Sequence, residues 1–158
     1  MTAHAAVRFL AITALVLAAG PALAADPPVS GKFTGDGTEA KLAFVTASKG
    51  EPFADKATIR LVFTEKDHSK DAKAYIKAGF GDYGSALIIT VHPDGKIIGC
   101  EVAHTAHKRS GFSSVGSIAM SDFKMADGKI AGTIKTDGEV DTFKQKWQVD
   151  IKFETKAP

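Results

Sequence analysis

The sequence predicts an all-β protein, folded as an antiparallel β-sandwich or a small closed barrel of about eight strands. Residues 143–153 alternate strictly, as a strand with one buried face does; their apolar side carries Phe143, Gln145, Trp147, Val149, Ile151 and Phe153. Asp-Gly pairs separate apolar runs in the second half, as hairpin turns do, at Asp94-Gly95, Asp127-Gly128 and Asp137-Gly138. Strands do not alternate with helices, so a parallel sheet is not expected.

The N-terminus has the order of residues that is typical of a secretory signal peptide. Arg8 precedes an apolar run at 9–19, and Ala22-Leu23-Ala24 forms a small-x-small cleavage pattern. The run is shorter than the roughly 20 residues of a spanning helix, so a membrane anchor is the weaker alternative. We therefore predict a signal peptide at 1–24 and one β-domain at 25–158, in the periplasm or secreted, with no transmembrane segment after cleavage.

Composition argues against nucleic acid as a partner. The 158 residues include 20 Lys and Arg against 18 Asp and Glu, and both signs are interspersed along the chain. No basic stripe of the kind that follows a phosphate backbone is visible. Cys100 is the only cysteine, which rules out an internal disulfide, and we interpret it as a small buried hydrophobe.

The first half predicts three strands and a loop. A short edge strand is expected at 31–34, followed by alternating strands at 38–46 and 57–64. Gly50 and Pro52 predict a loop over 48–55.

The next stretch predicts one short helix near residues 69–78. Ser69 would cap it and Gly79 would end it. Phe80 and Tyr83 then stand among three glycines. Such a segment forms either a packed loop over one end of the core or the lip of a pocket.

The second half predicts further strands at 85–92, 96–105, 115–125 and 129–136, before the strand at 143–153. The run at 85–92 is almost continuously apolar, which indicates burial on both faces. A change of phase between Met120 and Phe123 indicates a β-bulge.

Four residues at the end of one hairpin strand suggest a metal site: Cys100, Glu101, His104 and His107. Imidazole and thiolate suit zinc or copper. Cys100 lies about 13 Å from His104 along a strand, too far to share one ion. His104 and His107 lie where the strand ends and could converge, with Glu101 as a further ligand. Alternatively, Cys100 is core, His104 is hydrogen-bonded and His107 is solvated.

Two groupings invite a hydrolase interpretation. One is Asp67-His68-Ser69; the other pairs His104 or His107 with a serine of the same loop, at Ser110, Ser113 or Ser114. Neither lies in a nucleophile elbow, and Asp67 and Ser69 are also ordinary turn and cap residues. The sequence therefore predicts a protein that is not an enzyme.

Several motifs follow one another along most of the chain: LVFTE at 61–65, IITVHPDGK at 88–96, His104, FSSVG at 112–116, DGKIAG at 127–132 and WQVDIKF at 147–153. In this order they resemble a group of exported bacterial β-domain proteins with no established activity. The resemblance implies an exported β-domain, and it carries no implication about a cofactor or a partner.

The expected function is a non-catalytic exported module that binds a small molecule or a protein. Its ligand site is expected around Phe80, Tyr83, His104 and Phe112. The first alternative is a zinc or copper protein that uses His104, His107 and Glu101. The second alternative is a small hydrolase with a Ser/His pair in the 104–114 loop.

Overall fold

A computed structural model describes residues 27–108 and 111–158. The predicted signal peptide at 1–24 lies outside the described residues. The elements in chain order are β1 (Val29–Gly35), β2 (Thr38–Ala40), β3 (Phe44–Phe53), β4 (Lys56–Thr64), α1 (Ala74–Gly79), β5 (Ala86–Val91), β6 (Ile97–Ala103), β7 (Phe112–Ser113), a 3₁₀ turn (Val115–Ser117), β8 (Ile118–Ala126), β9 (Lys129–Thr136), β10 (Val140–Thr142) and β11 (Gln145–Lys156).

The strands form two antiparallel sheets packed face to face, which confirms the all-β prediction and makes the fold a sandwich. One sheet has the order β2-β1-β11-β9-β8 with β10 also paired to β11, and the other has the order β3-β4-β5-β6-β7. The described residues contain eleven strands where about eight were predicted. The additional strands β2, β7 and β10 have two or three residues each, too few to show alternation.

β11 is the central strand of its sheet. It pairs with β1 on one side and with β9 and β10 on the other. Buried and exposed residues alternate along it from Gln145 to Glu154. Trp147 is 1% exposed, and its Nε1–H donates to Thr142 Oγ1 at 3.3 Å. Phe153 meets Phe63 of the opposite sheet edge to face, with ring centroids 5.2 Å apart, so β11 joins the two sheets into one core.

The predicted strand at 143–153 begins two residues too early. Phe143 and Lys144 form a turn between β10 and β11, with φ angles of 55° and 64°. The Lys144 N–H donates to Asp141 Oδ1 at 3.0 Å, which helps to close the turn. Because Phe143 keeps the apolar period of the strand, alternation alone does not reveal the turn.

Replacing Lys144 with glycine is expected to stabilise the protein. A non-glycine residue in the left-handed region costs about 1–2 kcal/mol, and the greater freedom of glycine in the unfolded chain offsets about half of that gain. We expect the free energy of unfolding to rise by about 0.5–1 kcal/mol in urea denaturation. The control is Lys152→Gly in the middle of β11, which should destabilise; similar losses in both variants would contradict the argument.

The sheet edges differ from the prediction. The segment at 31–34 lies in β1, which is flanked by β2 and β11 and is not an edge strand. The predicted loop at 48–55 is wrong, because β3 continues to Phe53, and the predicted strand at 38–46 is divided between β2 and β3. Gly50 and Pro52 are tolerated because β3 is an edge strand, where Pro leaves no ladder bond unmade.

The long edges, β3 and β8, both carry features that discourage pairing with another chain. β3 presents exposed Lys49 and Pro52, and its Val45 carbonyl already accepts from Thr155 Oγ1 at 3.1 Å. β8 has the predicted bulge, between Ser121 and Lys124, with Asp122 at a φ of 53°. Charges, proline and bulges are the usual protection of an open edge.

The helix begins at Ala74, later than predicted. Asp67 Oδ1 accepts the Ser69 N–H at 2.8 Å, and Asp71 Oδ1 accepts the Lys73 N–H at 2.9 Å. These side-chain bonds hold residues 67–73 in turns, so Ser69 is a turn residue and the predicted cap is wrong. α1 covers the outer face of β5, which is therefore buried on both faces as predicted.

The Pro93-Asp94-Gly95 hairpin is confirmed, with the His92 N–H donating to the Lys96 carbonyl at 2.9 Å. No helix within 27–108 or 111–158 has the length and apolarity that crossing a bilayer requires.

Candidate functional site

A cleft of about 310 Å³ lies between the end of α1 and the segment that follows β6. Its walls include Phe80, His104, Thr105, His107 and Lys108, together with four glycines. Among these described lining residues, Lys108 is the one that carries a full charge at neutral pH. Because the four glycines have no side chains, their backbone groups lie close to any bound molecule.

The alternation of β6 brings His104 to the base of this region. Cys100 and Val102 face the core between the sheets, and His104 continues on the same side just beyond the strand. It is 5% exposed, with Phe33 of β1 meeting its ring edge to face at 5.1 Å. An imidazole is therefore held against an apolar wall.

His107 is placed beside His104 by a turn. The His107 N–H donates to the His104 carbonyl at 3.0 Å, and the two ring centroids lie 5.3 Å apart. Both rings lie close against the backbone of Gly35. The sequence prediction that these histidines converge therefore agrees with their positions.

Hydrogen bonds fix which nitrogen of each neutral ring carries the proton. The Ala106 N–H donates to His104 Nδ1 at 3.1 Å, so the proton of His104 is on Nε2. His107 Nε2 lies 2.9 Å from the Lys146 carbonyl oxygen, which only accepts, so Nδ1 keeps the lone pair.

The other nitrogen of each ring has no hydrogen-bond partner among the described residues. His104 Nε2 and His107 Nδ1 are both buried without a hydrogen bond to any described residue. A buried polar atom left unpaired costs about 1–3 kcal/mol. Two such atoms on adjacent side chains that line one cleft make this cleft a candidate site for the polar groups of a ligand.

Electrostatics favours uncharged His104. Burial lowers the pKa of His104, the neighbouring His107 lowers it further, and the Glu65 and Asp36 carboxylates oppose both effects. Burial also lowers the pKa of His68, a second buried histidine. Both histidines therefore bind protons less readily in the folded chain than in the unfolded chain.

Stability is consequently expected to decrease on acidification. Below about pH 6.5 the unfolded chain takes up protons that the folded chain does not. The free energy of unfolding should be fully maintained above that pH and fall towards pH 5, by at most about 1.4 kcal/mol per pH unit for each histidine. Urea denaturation across this range should show a shallower slope for His104→Gln than for the wild type. A Thr105→Val control should keep the wild-type slope, and an unchanged slope in His104→Gln would contradict the assignment.

The four predicted ligand-binding residues are only partly brought together. Phe80 lines the cleft with His104 and is 77% exposed. Phe112 lies behind the cleft, with its ring 5.5 Å from that of His107. Tyr83 lines a neighbouring depression, where its hydroxyl donates to Asp71 Oδ2 at 2.8 Å.

The sheet separates Glu101 from the two histidines of the predicted metal site. Glu101 lies on the outer face of β6, with its carboxylate near Gly79, whereas His104 faces the core side. Cys100 is buried, and burial raises the pKa of its thiol to about 12. Within 27–108 and 111–158, no three His, Cys, Asp or Glu side chains are grouped as metal ligands.

The serines of the predicted hydrolase do not contact an imidazole in the described residues. Ser114 Oγ bonds Thr142 Oγ1 and Ser117 Oγ, at 3.1 and 3.3 Å. Ser113 is an exposed residue of β7, and Ser110 lies outside the described residues.

His68 does not act with Ser69 either. Its two ring nitrogens bond the hydroxyls of Thr46 and Thr64, at 2.8 and 2.5 Å. Thr64 donates its own proton to the Lys66 carbonyl, so it accepts from His68 Nδ1 and Thr46 donates to Nε2. The ring is fully paired and has a structural role.

Sequence reasoning missed Gly35, Thr105 and the Lys146 carbonyl. Gly35 and Lys146 come from β1 and β11, which reach the cleft only because these two strands pair. Thr105 could have been identified as a site residue from the sequence, since it lies between the two predicted histidines.

No family model, curated protein or solved structure matches the chain. The resemblance to exported bacterial β-domain proteins therefore stays a prediction.

Proposed function

We propose that this chain is an exported, non-catalytic binding module whose ligand site is the cleft between α1 and the segment after β6. The observation that carries the proposal is the pair of buried, unpartnered nitrogens on His104 and His107. Such atoms are retained at a cost in stability, and a bound ligand that pairs with them recovers that cost.

Within the part of the chain that the structure describes, the surroundings support binding, and no serine near the cleft bonds an imidazole. A concave site with few, well-placed polar groups on a rigid frame is the usual form of a small-molecule site. The frame here is two packed sheets, and the described serines near the cleft are bonded elsewhere or exposed. Nucleophilic catalysis needs a base within hydrogen-bond reach of the nucleophile.

Native mass spectrometry tests the proposal on protein purified from its own envelope without chelators. We expect a ligand mass on the wild-type chain, much reduced in His107→Phe. The control is His92→Phe, which alters a histidine that bonds the Ala57 carbonyl at the other end of the β5–β6 hairpin. Bare wild-type protein, or equal loss in both variants, would count against this site.

The same spectrum tests export. A mature mass that begins at Ala25 is expected if the segment at 1–24 is a cleaved signal. Uncleaved chain in the cytosol would remove the exported location from the proposal.

A metal-binding function is the second candidate, and one observation favours it. His107 donates its Nε2–H to a backbone carbonyl and keeps a lone pair on Nδ1, as metal-ligating histidines commonly do. A mass excess of zinc or copper that disappears on acidification, and that the His104→Ala, His107→Ala double variant lacks, would support it. Ligand retention by that double variant would refute it.

A further inference from the structure

We infer that the cleft binds a small neutral carbohydrate, through hydroxyl groups that pair with His104 and His107. This inference rests on the proposed binding function and adds the chemical class of the ligand. It follows from the polarity of the two unpartnered nitrogens, the make-up of the cleft walls and the size of the cleft.

The two unpartnered nitrogens have opposite hydrogen-bonding roles: one is a donor and the other is an acceptor. His104 Nδ1 accepts from the Ala106 N–H, so His104 offers a donor at Nε2; His107 donates from Nε2, so it offers an acceptor at Nδ1. With ring centroids 5.3 Å apart, neighbouring groups of one ligand can reach both atoms once a cleft side chain has shifted, because both atoms are screened from solvent. The ligand must therefore supply an acceptor and a donor close together.

Hydroxyl groups meet that requirement, because each one both donates and accepts. A carboxylate or a fully ionised phosphate supplies acceptors only and leaves His107 Nδ1 unpaired. An ammonium group supplies donors only and leaves His104 Nε2–H unpaired. A metal cation finds a lone pair on His107 but none on the protonated nitrogen of His104.

Apart from Lys108 and the two histidines, the described residues that line the cleft carry no acidic or basic side chain. Thr105 contributes a hydroxyl whose oxygen lies 3.2 Å from Ser85 Oγ, and the glycines expose backbone groups. Lys108 supplies the one positive charge of the described lining, and the carboxylates of Glu65 and Asp36 lie near enough to His104 to affect its pKa. The two nitrogens that carry the inference belong to the imidazoles and not to these charged groups.

Phe80 supplies the apolar part of the site. Its side chain is 77% exposed at the rim, where a flat ring can lie against the C–H face of a sugar. A volume of about 310 Å³ is at the small end for ligand sites, which suits one or two sugar rings. Since both imidazole nitrogens are screened from solvent, binding must be accompanied by a shift of a cleft side chain.

Titration calorimetry with galactose, N-acetylglucosamine and maltose, each at millimolar concentration, tests the inference on the mature protein. At least one of these neutral sugars should bind, and glucuronate should bind about tenfold more weakly or not at all. The affinity should fall by about tenfold in Phe80→Ser, whose exposed position leaves folding intact, and also in His107→Phe. Phe53→Ser, which changes an exposed ring at the end of β3, should bind as the wild type does.

The outcomes separate this inference from the proposed function. Tighter binding of glucuronate than of every neutral sugar would overturn the carbohydrate inference and leave the binding site in place. The carbohydrate inference is also overturned, and the binding site kept, if no sugar binds while native mass spectrometry still shows a retained ligand that His107→Phe loses. If no sugar binds and no ligand is retained, both proposals fail.

Discussion

Truncation of Trp147 to alanine is expected to cost about 3–5 kcal/mol of the free energy of unfolding. Trp147 is 1% exposed, lies in the central strand β11 and bonds Thr142 through its indole N–H. Its removal leaves a cavity between two sheets whose backbones are fixed by pairing, so the surroundings cannot close it. Urea denaturation followed by far-UV circular dichroism measures the loss without relying on the indole signal.

The matched comparisons for this prediction are Trp147→Phe and Phe53→Ala. Trp147→Phe keeps most of the ring volume and should cost less than the alanine variant, because the cavity is smaller. Phe53 is 59% exposed, so its truncation should stay within about 0.5 kcal/mol. A Trp147→Ala variant as stable as Phe53→Ala would mean that the indole is not part of the core.

Replacement of Gly35 with alanine is expected to disrupt the cleft from behind. A Cβ at this position would lie 2.4 Å from His104 Cγ and 2.8 Å from His107 Nε2, closer than non-bonded atoms approach. Both rings would have to move, which breaks the bonds from Ala106 to His104 and from His107 to Lys146. We expect a loss of about 1–3 kcal/mol in the free energy of unfolding, together with loss of the retained ligand.

Gly116→Ala is the control for Gly35→Ala. A Cβ at Gly116 meets nothing within 4 Å, so stability should change by no more than about 0.5 kcal/mol and the ligand should be kept. If Gly35→Ala behaves like Gly116→Ala in both measurements, the two rings are not held as the structure indicates.

The sequence predicts the long strands well because their two faces differ in polarity. β4, β5 and β9 lie within a residue or two of their predicted ends. The predictions failed where the local residues are compatible with more than one conformation. Phe143 continues an apolar period yet occupies a turn, and Ser69 could cap a helix but is held by Asp67 instead.

The candidate site was predictable only in part. The approach of His104 and His107 follows from local spacing, and the exposed aromatic Phe80 follows from its glycine-rich surroundings. Gly35 carries no local signal, because its role depends on the pairing of β1 with β11, which joins residues far apart in sequence. Which nitrogen of each imidazole carries the proton likewise depends on the positions of the Ala106 N–H and the Lys146 carbonyl, which only folding creates.

The rate at which the buried thiol of Cys100 is labelled reports how often the two sheets separate. Cys100 pairs with Ile89 inside the five-stranded sheet, and with its pKa at about 12 the thiol is almost entirely uncharged at neutral pH. Reagents that react with thiolates, and oxidants, therefore reach the Cys100 thiol only when β5 and β6 separate from the opposite sheet. Its labelling rate measures how often the sandwich opens, and a folded copy stays free of intermolecular disulfides in an oxidising compartment.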